Sequence, residues 1–417
     1  MRVVFVNLHC NGLILRNLDA ILVNKKVPCR HRFILNAMLE NPDIEIIDFV
    51  TLKGSCLPYE LGKIRNLYFS DIKWRVREAE FVFRSNNIKG VKIISDINKL
   101  SLTDDDIVIY YSHLIENGIE ECIPTNAIRI VDLTHFNGIR STMLQLQQGG
   151  VDCFVSEVNL NKYSKLYKKN FAYMNKDIII RPFEYEKRFI PKVDFNARKN
   201  KACAMGSIVW LQSDADIDYD YIIEYHTRYM QISRKNIYDH SKELQDVLDC
   251  YSYLTSDFQN NDILSADARD MFVRRKFKKW YNYFILHRFS PYYRNFDMVD
   301  KLNEYKIVVN GEDANGIYAI GAIEAMACGC AFVGSNYGAF EDLGLKDGES
   351  YIAYNGSISN LKEKLEYYLL PANSNELYNI AKNGCEYVRK NFSEESIAKK
   401  YIQELFKIHE LRKKRRD

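Results

Sequence analysis

The chain has 417 residues, of which 47% are hydrophobic and 27% are charged, and its formal net charge is +3. This balance is typical of a globular protein with about two to three domains, and so small a net charge does not favour a nucleic-acid-binding protein. No apolar run approaches the ~20 residues of a membrane-spanning helix. The ten cysteines form no C-x-x-C pair. They therefore indicate reduced thiols in a cytoplasmic protein, with no disulfide framework or zinc site.

The first half of the chain alternates short apolar runs with helical patterns. The apolar runs predict strands at 2–8, 44–51, 91–96, 106–113, 128–134, 152–157 and 177–183. Most of these runs are continuous, which suits parallel strands covered by helices on both faces. We therefore expect an open, doubly wound α/β domain.

Polar residues follow three of these predicted strands, where the loops at the carboxyl ends of a parallel sheet gather. Asn11 and Gly12 follow the first strand, His135 and Arg140 follow the fifth, and Glu157 ends the sixth. A carboxylate at that place would act as a general base or stabilise a developing positive charge. For each residue alone, a capping or core role is an equally open alternative.

A polar segment at 184–201, which contains Pro191, separates the two halves. We place a first domain at 1–190, a second at 191–392, and a last helix with a basic tail at 393–417. The second half restarts with a strand at 202–211, continues in helical patterns to about 303, and has further strands at 305–311 and 350–356.

The stretch GAIEAMACGCAFVGS (321–335) predicts a helix that Gly329 ends, followed by a buried strand. Glu324 is the only charged residue between Asp313 and Glu341. Carboxylates are seldom buried without a partner. Glu324 would therefore accept hydrogen bonds from vicinal hydroxyls, such as those of a ribose, or pair with a buried Arg or Lys.

The start of this helix is a candidate phosphate site. A helix that begins near Ile317 would point free N–H groups and a partial positive charge at the cleft between the two domains. Gly316 and Gly321 would let a ligand approach the backbone closely. Three basic residues are expected to face the phosphates, with a solvated helix face as the alternative: Arg228, Arg234 and Lys235.

The acidic run SDADIDYDY (213–221) contains overlapping D-x-D triplets. Carboxylates at this spacing suit Mg²⁺ or Mn²⁺. Because the run follows the first strand of the second domain, we expect an exposed loop and no metal site. Asp214 in this run is a candidate for a base or nucleophile that reaches the cleft.

Residues 304–405 as a set resemble the donor-binding domain of GT-B glycosyltransferases of the group 1 type, through E-A-M-A-C-G, the buried strand after it and the final helix. The resemblance implies two Rossmann-like domains that face a central cleft, with a last helix that crosses back to the first domain. It implies a nucleotide-sugar co-substrate and no other cofactor. Glu324 would bind the ribose, and His135 would touch the donor sugar. The phosphates would lie against Gly316, Ile317, Tyr318 and Gly321.

The chain departs from the family pattern at Gly316, where many retaining members carry a second glutamate. The segment PYYRNFDMVDKLNEYKIVVNGED (291–313), together with Glu157, is more weakly similar to bacterial transferases that move Kdo from CMP-Kdo. Such a donor carries its own carboxylate, which would pair with Arg140 or Arg228.

The expected function is therefore a metal-independent transfer of a sugar from a nucleotide-sugar donor to a bacterial surface polysaccharide or glycolipid. The alternatives are Kdo transfer, a sugar-nucleotide epimerase or hydrolase, and a glycan-binding protein without activity. The first strand lacks the G-x-G-x-x-G pattern of a dinucleotide-dependent oxidoreductase. The basic tail LRKKRRD (411–417) predicts contact with an anionic inner-membrane surface or, equally, a solvated helix end.

Overall fold

The computed structural model describes residues 1–6, 32–50, 80, 83–84, 87–94, 100–111, 126–134, 150–211, 216–254, 296–335 and 338–414. Within these ranges the strands form two separate parallel sheets, one of seven strands and one of five. This architecture confirms the predicted α/β class with two Rossmann-like domains.

The first sheet has the strand order β3-β2-β1-β4-β5-β6-β7. All seven predicted strands are present in the described residues. The order reverses direction between β1 and β4, as in other doubly wound sheets. The bounds are β1 (Arg2–Val6), β2 (Ile46–Val50), β3 (Lys92–Ile94), β4 (Ile107–Tyr111), β5 (Ile128–Asp132), β6 (Cys153–Ser156) and β7 (Asp177–Ile180).

The second sheet has the strand order β12-β11-β10-β8-β9. Its bounds are β8 (Lys199–Ile208), β9 (Leu248–Leu254), β10 (Tyr305–Val309), β11 (Ala331–Ser335) and β12 (Ile352–Tyr354). The prediction of continuous helical patterns up to about 303 is wrong at β9. This strand lies at the sheet edge, pairs only with β8 and is partly exposed, so its sequence LDCYSYL lacks a continuous apolar run.

Eleven α-helices accompany the sheets in the described part of the chain. They are α1 (Arg32–Leu39), α2 (Leu160–Tyr163), α3 (Lys165–Asn170), α4 (Asp216–Tyr225), α5 (Ile232–Asp239), α6 (Met298–Asn303), α7 (Ile320–Ala327), α8 (Ala339–Asp342), α9 (Ile358–Leu369), α10 (Ser374–Asn391) and α11 (Glu394–Lys414). Of the helices in these ranges, none has both the length and the apolar character needed to cross a membrane.

Helix α4 corrects the expectation of an exposed loop at 213–221, because the chain is helical from Asp216 onward. Aspartates in a first turn are favoured by the helix dipole, so an acidic run is compatible with this position. The buried Tyr221 anchors the helix: its hydroxyl donates to the Met230 carbonyl oxygen at 2.9 Å and accepts the Ala314 N–H at 3.2 Å.

Helix α11 leaves the second sheet and packs against α1 beside the first sheet. The Ser393 Oγ caps its start by accepting the Ser396 N–H at 3.1 Å. Just before the helix, the Tyr185 N–H donates to the Phe392 carbonyl oxygen at 3.2 Å. The segment that leaves the first sheet and the segment that returns to it therefore run side by side.

Candidate active site

A strand, a loop and a helix of the second sheet form the centre of the site. Strand β10 is buried along its whole length, and α7 packs against β10 and β11. The helix begins at Ile320, so the predicted start near Ile317 is wrong. The reason is a turn that Asp313 closes: its Oδ1 accepts the N–H groups of Asn315 at 2.8 Å and Ile317 at 3.0 Å.

A cavity of about 310 Å³ opens where β8 and β10 end and α7 begins. Phe183, which follows the last strand of the first sheet, also lines it, and the other lining residues lie between Met205 and Glu324. Five of the predicted site residues are on its wall: Arg234, Ile317, Tyr318, Gly321 and Glu324.

Glu324 lies in the second turn of α7 and faces this cavity. No described residue within reach forms a hydrogen bond or ion pair with its carboxylate, so the buried ion pair weighed from the sequence is not formed in this part of the chain. Burial raises the pKa of Glu324 to about 7, against the opposing charge of Arg188 and with a smaller contribution from Glu186. The carboxylate is thus available to a ligand.

Arg234 is the basic residue that reaches the cavity. It lies on α5 and is buried, and its guanidinium donates to the Asn310 Oδ1 at 2.7 Å and to the Ser207 carbonyl oxygen. Both partners follow or end buried strands and also line the cavity. The two contacts fix a positive charge near the start of α7.

Arg228 and Lys235 are not on the described cavity wall, and the alternative of a solvated surface fits Arg228 but not Lys235, whose side chain is only 18% exposed. The Arg228 guanidinium is exposed and lies 5.4 Å from the centre of the Trp210 ring. The Lys235 ammonium pairs with Asp239 at 2.5 Å. Consecutive residues of a helix point about 100° apart, so Arg234 and Lys235 face different directions.

The two glycines have partners that the sequence did not predict. Gly316 has a φ of +76°, and an added Cβ would lie 2.7 Å from the Cβ of Tyr163. Tyr163, a residue of the first domain, occupies the space that was expected for a ligand. At Gly321 an added Cβ would lie 2.6 Å from the Asn310 Nδ2, so that glycine makes room for a side chain as well as lining the cavity.

Acidic residues of both domains meet near the loop that precedes α7. Glu157, at the end of β6, is buried and accepts a long hydrogen bond from the Ser156 Oγ at 3.4 Å. Burial raises the pKa of Asp313 well above its ordinary value, and the negative charges of Glu157 and Glu312 raise it further. The charge of Glu157 thus acts on Asp313, although Glu157 is not on the described cavity wall.

Sequence reasoning missed Asp313 and Asn310 as site residues. Asp313 and Asn310 line the cavity, and neighbouring Glu312 is buried with a pKa of about 7 because of desolvation. A signal was present: the polar run NGED directly follows a buried parallel strand, the position at which ligand-binding loops occur.

Five predicted site residues lie outside the described part of the chain: Asn11, Gly12, His135, Arg140 and Asp214. Their assignments stay predictions. The structure describes the chain up to Thr134, which directly precedes His135. The Thr134 N–H donates to the Asp132 Oδ1 at 2.9 Å.

Comparison with known proteins places this geometry in context. The model of a family described as Glycosyl transferase-like matches residues 265–403. No curated protein matches the sequence. HepE from Anabaena, solved in complex with UDP, is 10% identical with a TM-score of 0.51 over 98% of this chain and 100% of its own.

Two further solved structures are similar over nearly the whole chain. A glycosyltransferase from Rickettsia africae is 12% identical with a TM-score of 0.50, over 98% of each chain. The N-terminal domain of a trehalose-6-phosphate phosphatase from Candida albicans is 12% identical with a TM-score of 0.50, over 98% of this chain and 97% of its own. At these identities the likeness shows a shared fold.

Proposed function

We propose that this chain, a glycosyltransferase of the GT-B fold, takes its sugar from a nucleotide-sugar donor that binds in the cavity beside α7. One observation carries the proposal: the Glu324 carboxylate lies on the cavity wall without a hydrogen-bond partner in the described part of the chain. A desolvated carboxylate without a partner is unfavourable. The two hydroxyls of a ribose would supply the missing donors.

The other end of the cavity wall suits a diphosphate. Ala319, the N-cap residue of α7, has no side-chain cap for the first-turn N–H groups, and that helix end carries a partial positive charge. Arg234 adds a full positive charge on the same wall. Fixed donors of this kind stabilise the charge that develops on a leaving diphosphate. They support the proposal that transfer is independent of a metal ion.

The shared fold gives a first choice of nucleotide. HepE from Anabaena, which has the same fold, was solved with UDP and with UDP-glucose. We therefore propose a nucleotide-sugar donor and take UDP as the first probe. GDP, dTDP and CMP belong in the same panel, because the sequence resemblance to Kdo transferases makes a cytidine donor an explicit alternative.

On the acceptor side we propose Glu157 as the group that receives the acceptor proton. Glu157 is buried at the carboxyl end of β6, and its negative charge raises the pKa of Asp313, which lines the cavity. A bacterial surface polysaccharide or glycolipid remains the proposed acceptor, on the basis of the sequence resemblance. A cytoplasmic enzyme that contacts the inner membrane through Lys413 and Lys414 would meet a lipid-linked acceptor of this kind.

Calorimetric titration of the four nucleotides into wild type and Glu324→Ala tests the donor site. We expect the variant to lose ~1.5–3 kcal/mol of binding free energy, about 10- to 150-fold in Kd, because a charged hydrogen-bond acceptor is removed. Glu366→Ala, at an exposed glutamate of α9, is the matched control and should bind normally.

A change of less than about twofold in Glu324→Ala would show that the ribose assignment is wrong. The reaction type needs a second measurement with the donor that binds. Release of free sugar, or of an isomerised nucleotide sugar, at an equal rate with and without acceptor would favour a hydrolase or epimerase over a transferase.

A further inference from the structure

Tyr163, the last residue of α2, is a first-domain side chain that contacts two loops of the second domain. Its Cβ lies 2.7 Å from the position of an added Cβ at Gly316, which has a φ of +76°. Its Oη lies 3.5 Å from the corresponding position at Gly338, which has a φ of +73°. The Tyr163 side chain thus packs against two turns, at Gly316 and Gly338, whose positive φ angles favour glycine.

The hydroxyl end of Tyr163 is held by a small polar cluster. It donates a short hydrogen bond to the Asp342 Oδ2, and the Lys162 ammonium pairs with the other oxygen of that carboxylate at 2.7 Å. These groups are partly exposed, so the ion pair adds little stability. The cluster fixes the direction of the ring more than it holds the domains together.

The residue after Tyr163 holds the same loop. The Ser164 Oγ donates to the Asn315 Oδ1 at 2.7 Å, and the Tyr225 hydroxyl donates to the same oxygen at 2.7 Å. Two successive residues of the first domain therefore contact two successive residues, Asn315 and Gly316, of the second.

Asp313 depends on the position of these loop residues. Its Oδ1 accepts the N–H groups of Asn315 and Ile317, and its side chain lines the cavity. A shift of the backbone at 315–317 would therefore move the Asp313 carboxylate. Glu324 and Arg234, in contrast, are held by α7 and by α5 with Asn310.

We propose that Tyr163 is a positioning residue: packed on Gly316, it holds the Asp313 carboxylate in the cavity, where that carboxylate contacts the donor sugar. The inference rests on the proposed function, because it assigns the ribose to Glu324, the phosphates to Arg234 and the sugar to Asp313. In this proposal Tyr163 is needed to position the sugar but is not needed to bind the nucleotide.

Hydrogen exchange of the protein without any ligand tests the structural step. We expect Tyr163→Ala to speed exchange at the amides of Asn315 and Ile317 by at least about tenfold, because the loop loses the ring, whose Cγ lies 3.3 Å from the position of an added Cβ at Gly316, and keeps only the Cβ contact. Tyr163→Phe keeps the ring on Gly316 and should exchange like wild type. Tyr173→Ala, at a tyrosine that is 58% exposed, is the matched control. Unchanged exchange in Tyr163→Ala would overturn the proposal.

A double-mutant cycle tests the functional step, with UDP-glucose or the sugar form of the tightest-binding nucleotide. We expect Tyr163→Ala to lower kcat about tenfold while the Kd of the free nucleotide stays within twofold, and Tyr163→Phe to restore kcat. In an Asp313→Asn background, Tyr163→Ala should have no further effect, because it acts through that carboxylate.

The outcomes of the cycle separate the two proposals. Independent, multiplicative losses in kcat, or an equal loss in nucleotide affinity, would overturn the role of Tyr163 and leave the nucleotide site intact. Failure of wild type to bind any of the four nucleotides would overturn the proposed function and, with it, the sugar contact of Asp313.

Discussion

Two acidic residues, one in each domain, differ in whether described residues of the protein pair with their carboxylates. Asp132 ends β5 and is buried, with the Arg181 guanidinium 2.7 Å away and the Thr134 N–H at 2.9 Å. Glu324 on α7 is desolvated as well, but no described group forms a hydrogen bond with it. The first charge is satisfied by the protein and stabilises the fold. The second lacks such a partner, which is the arrangement expected where a ligand provides one.

The largest expected effect is the loss of stability in Asp132→Asn. Removing one partner of a buried ion pair leaves Arg181 without its paired carboxylate, which typically costs ~3–5 kcal/mol of unfolding free energy. Urea denaturation at pH 7 measures this loss. The Kd for the nucleotide should stay within twofold, because Asp132 is not on the described cavity wall.

Glu395→Gln is the control for this measurement. Glu395 pairs with Lys187 at 2.7 Å, but both side chains are more than three-quarters exposed, at 78% and 76%. Exposed pairs contribute little to stability, because solvent screens them. If Asp132→Asn and Glu395→Gln lost equal amounts of unfolding free energy, the buried ion pair would matter no more for stability than the exposed one.

The second prediction has the opposite sign: Glu324→Gln should stabilise the ligand-free protein at pH 8. The pKa of Glu324 is raised from 4.5 to about 7 in the folded state, so its contribution to stability falls as pH rises from 4.5 towards 7. Glutamine does not titrate. We expect a gain of ~1–3 kcal/mol in unfolding free energy at pH 8 and almost none at pH 4.5.

Thermal or urea unfolding of both proteins at the two pH values checks this prediction. A variant that is less stable than wild type at pH 8 would show that Glu324 has a stabilising partner, in which case it resembles Asp132 and is not a free ligand site.

The smallest expected effect is the pH dependence of donor affinity. With a pKa of about 7, the ionised fraction of Glu324 rises from roughly one tenth at pH 6 to roughly nine tenths at pH 8. Since the ionised form accepts the ribose hydrogen bonds, UDP-glucose should bind about ninefold more tightly at pH 8. Its phosphates carry no group that titrates in this range. Calorimetry on Glu324→Gln isolates the contribution of this carboxylate, because the pH dependence that is left in the variant belongs to other groups, such as Glu312 and Asp313, whose pKa values burial also raises.

Continuous apolar runs made most of the fold predictable from the sequence. Strands β5, β6, β10, β11 and β12 are buried along nearly their whole length, and β3, β7 and β8 are buried in part, so their sequences carry the apolar runs that a covered parallel sheet requires. Strand β9 does not show this pattern, because Asp249 and Ser252 interrupt the apolar residues of LDCYSYL. The start of α7 was placed three residues early, because the side chain of Asp313 closes a turn that propensity does not show.

The candidate site was predictable only where a single residue stood out. Glu324 did, as a lone charge in an apolar helix. Arg234 and Lys235 are equal candidates in the sequence, and only the direction of each side chain on α5 separates them. Gly316 was misinterpreted because its neighbour, Tyr163, comes from the other domain, and contacts between residues so distant in sequence leave no local pattern.

The paired chain segments at Tyr185 and Phe392 have a mechanical consequence. A single connection between two domains acts like a swivel and permits rotation about several directions. Here two crossings lie side by side, joined by the Tyr185 N–H and the Phe392 carbonyl oxygen at 3.2 Å, and α11 packs on α1 beyond them. Two adjacent connections restrict the relative rotation of the domains more than one connection would, and the packing of α11 on α1 restricts it further.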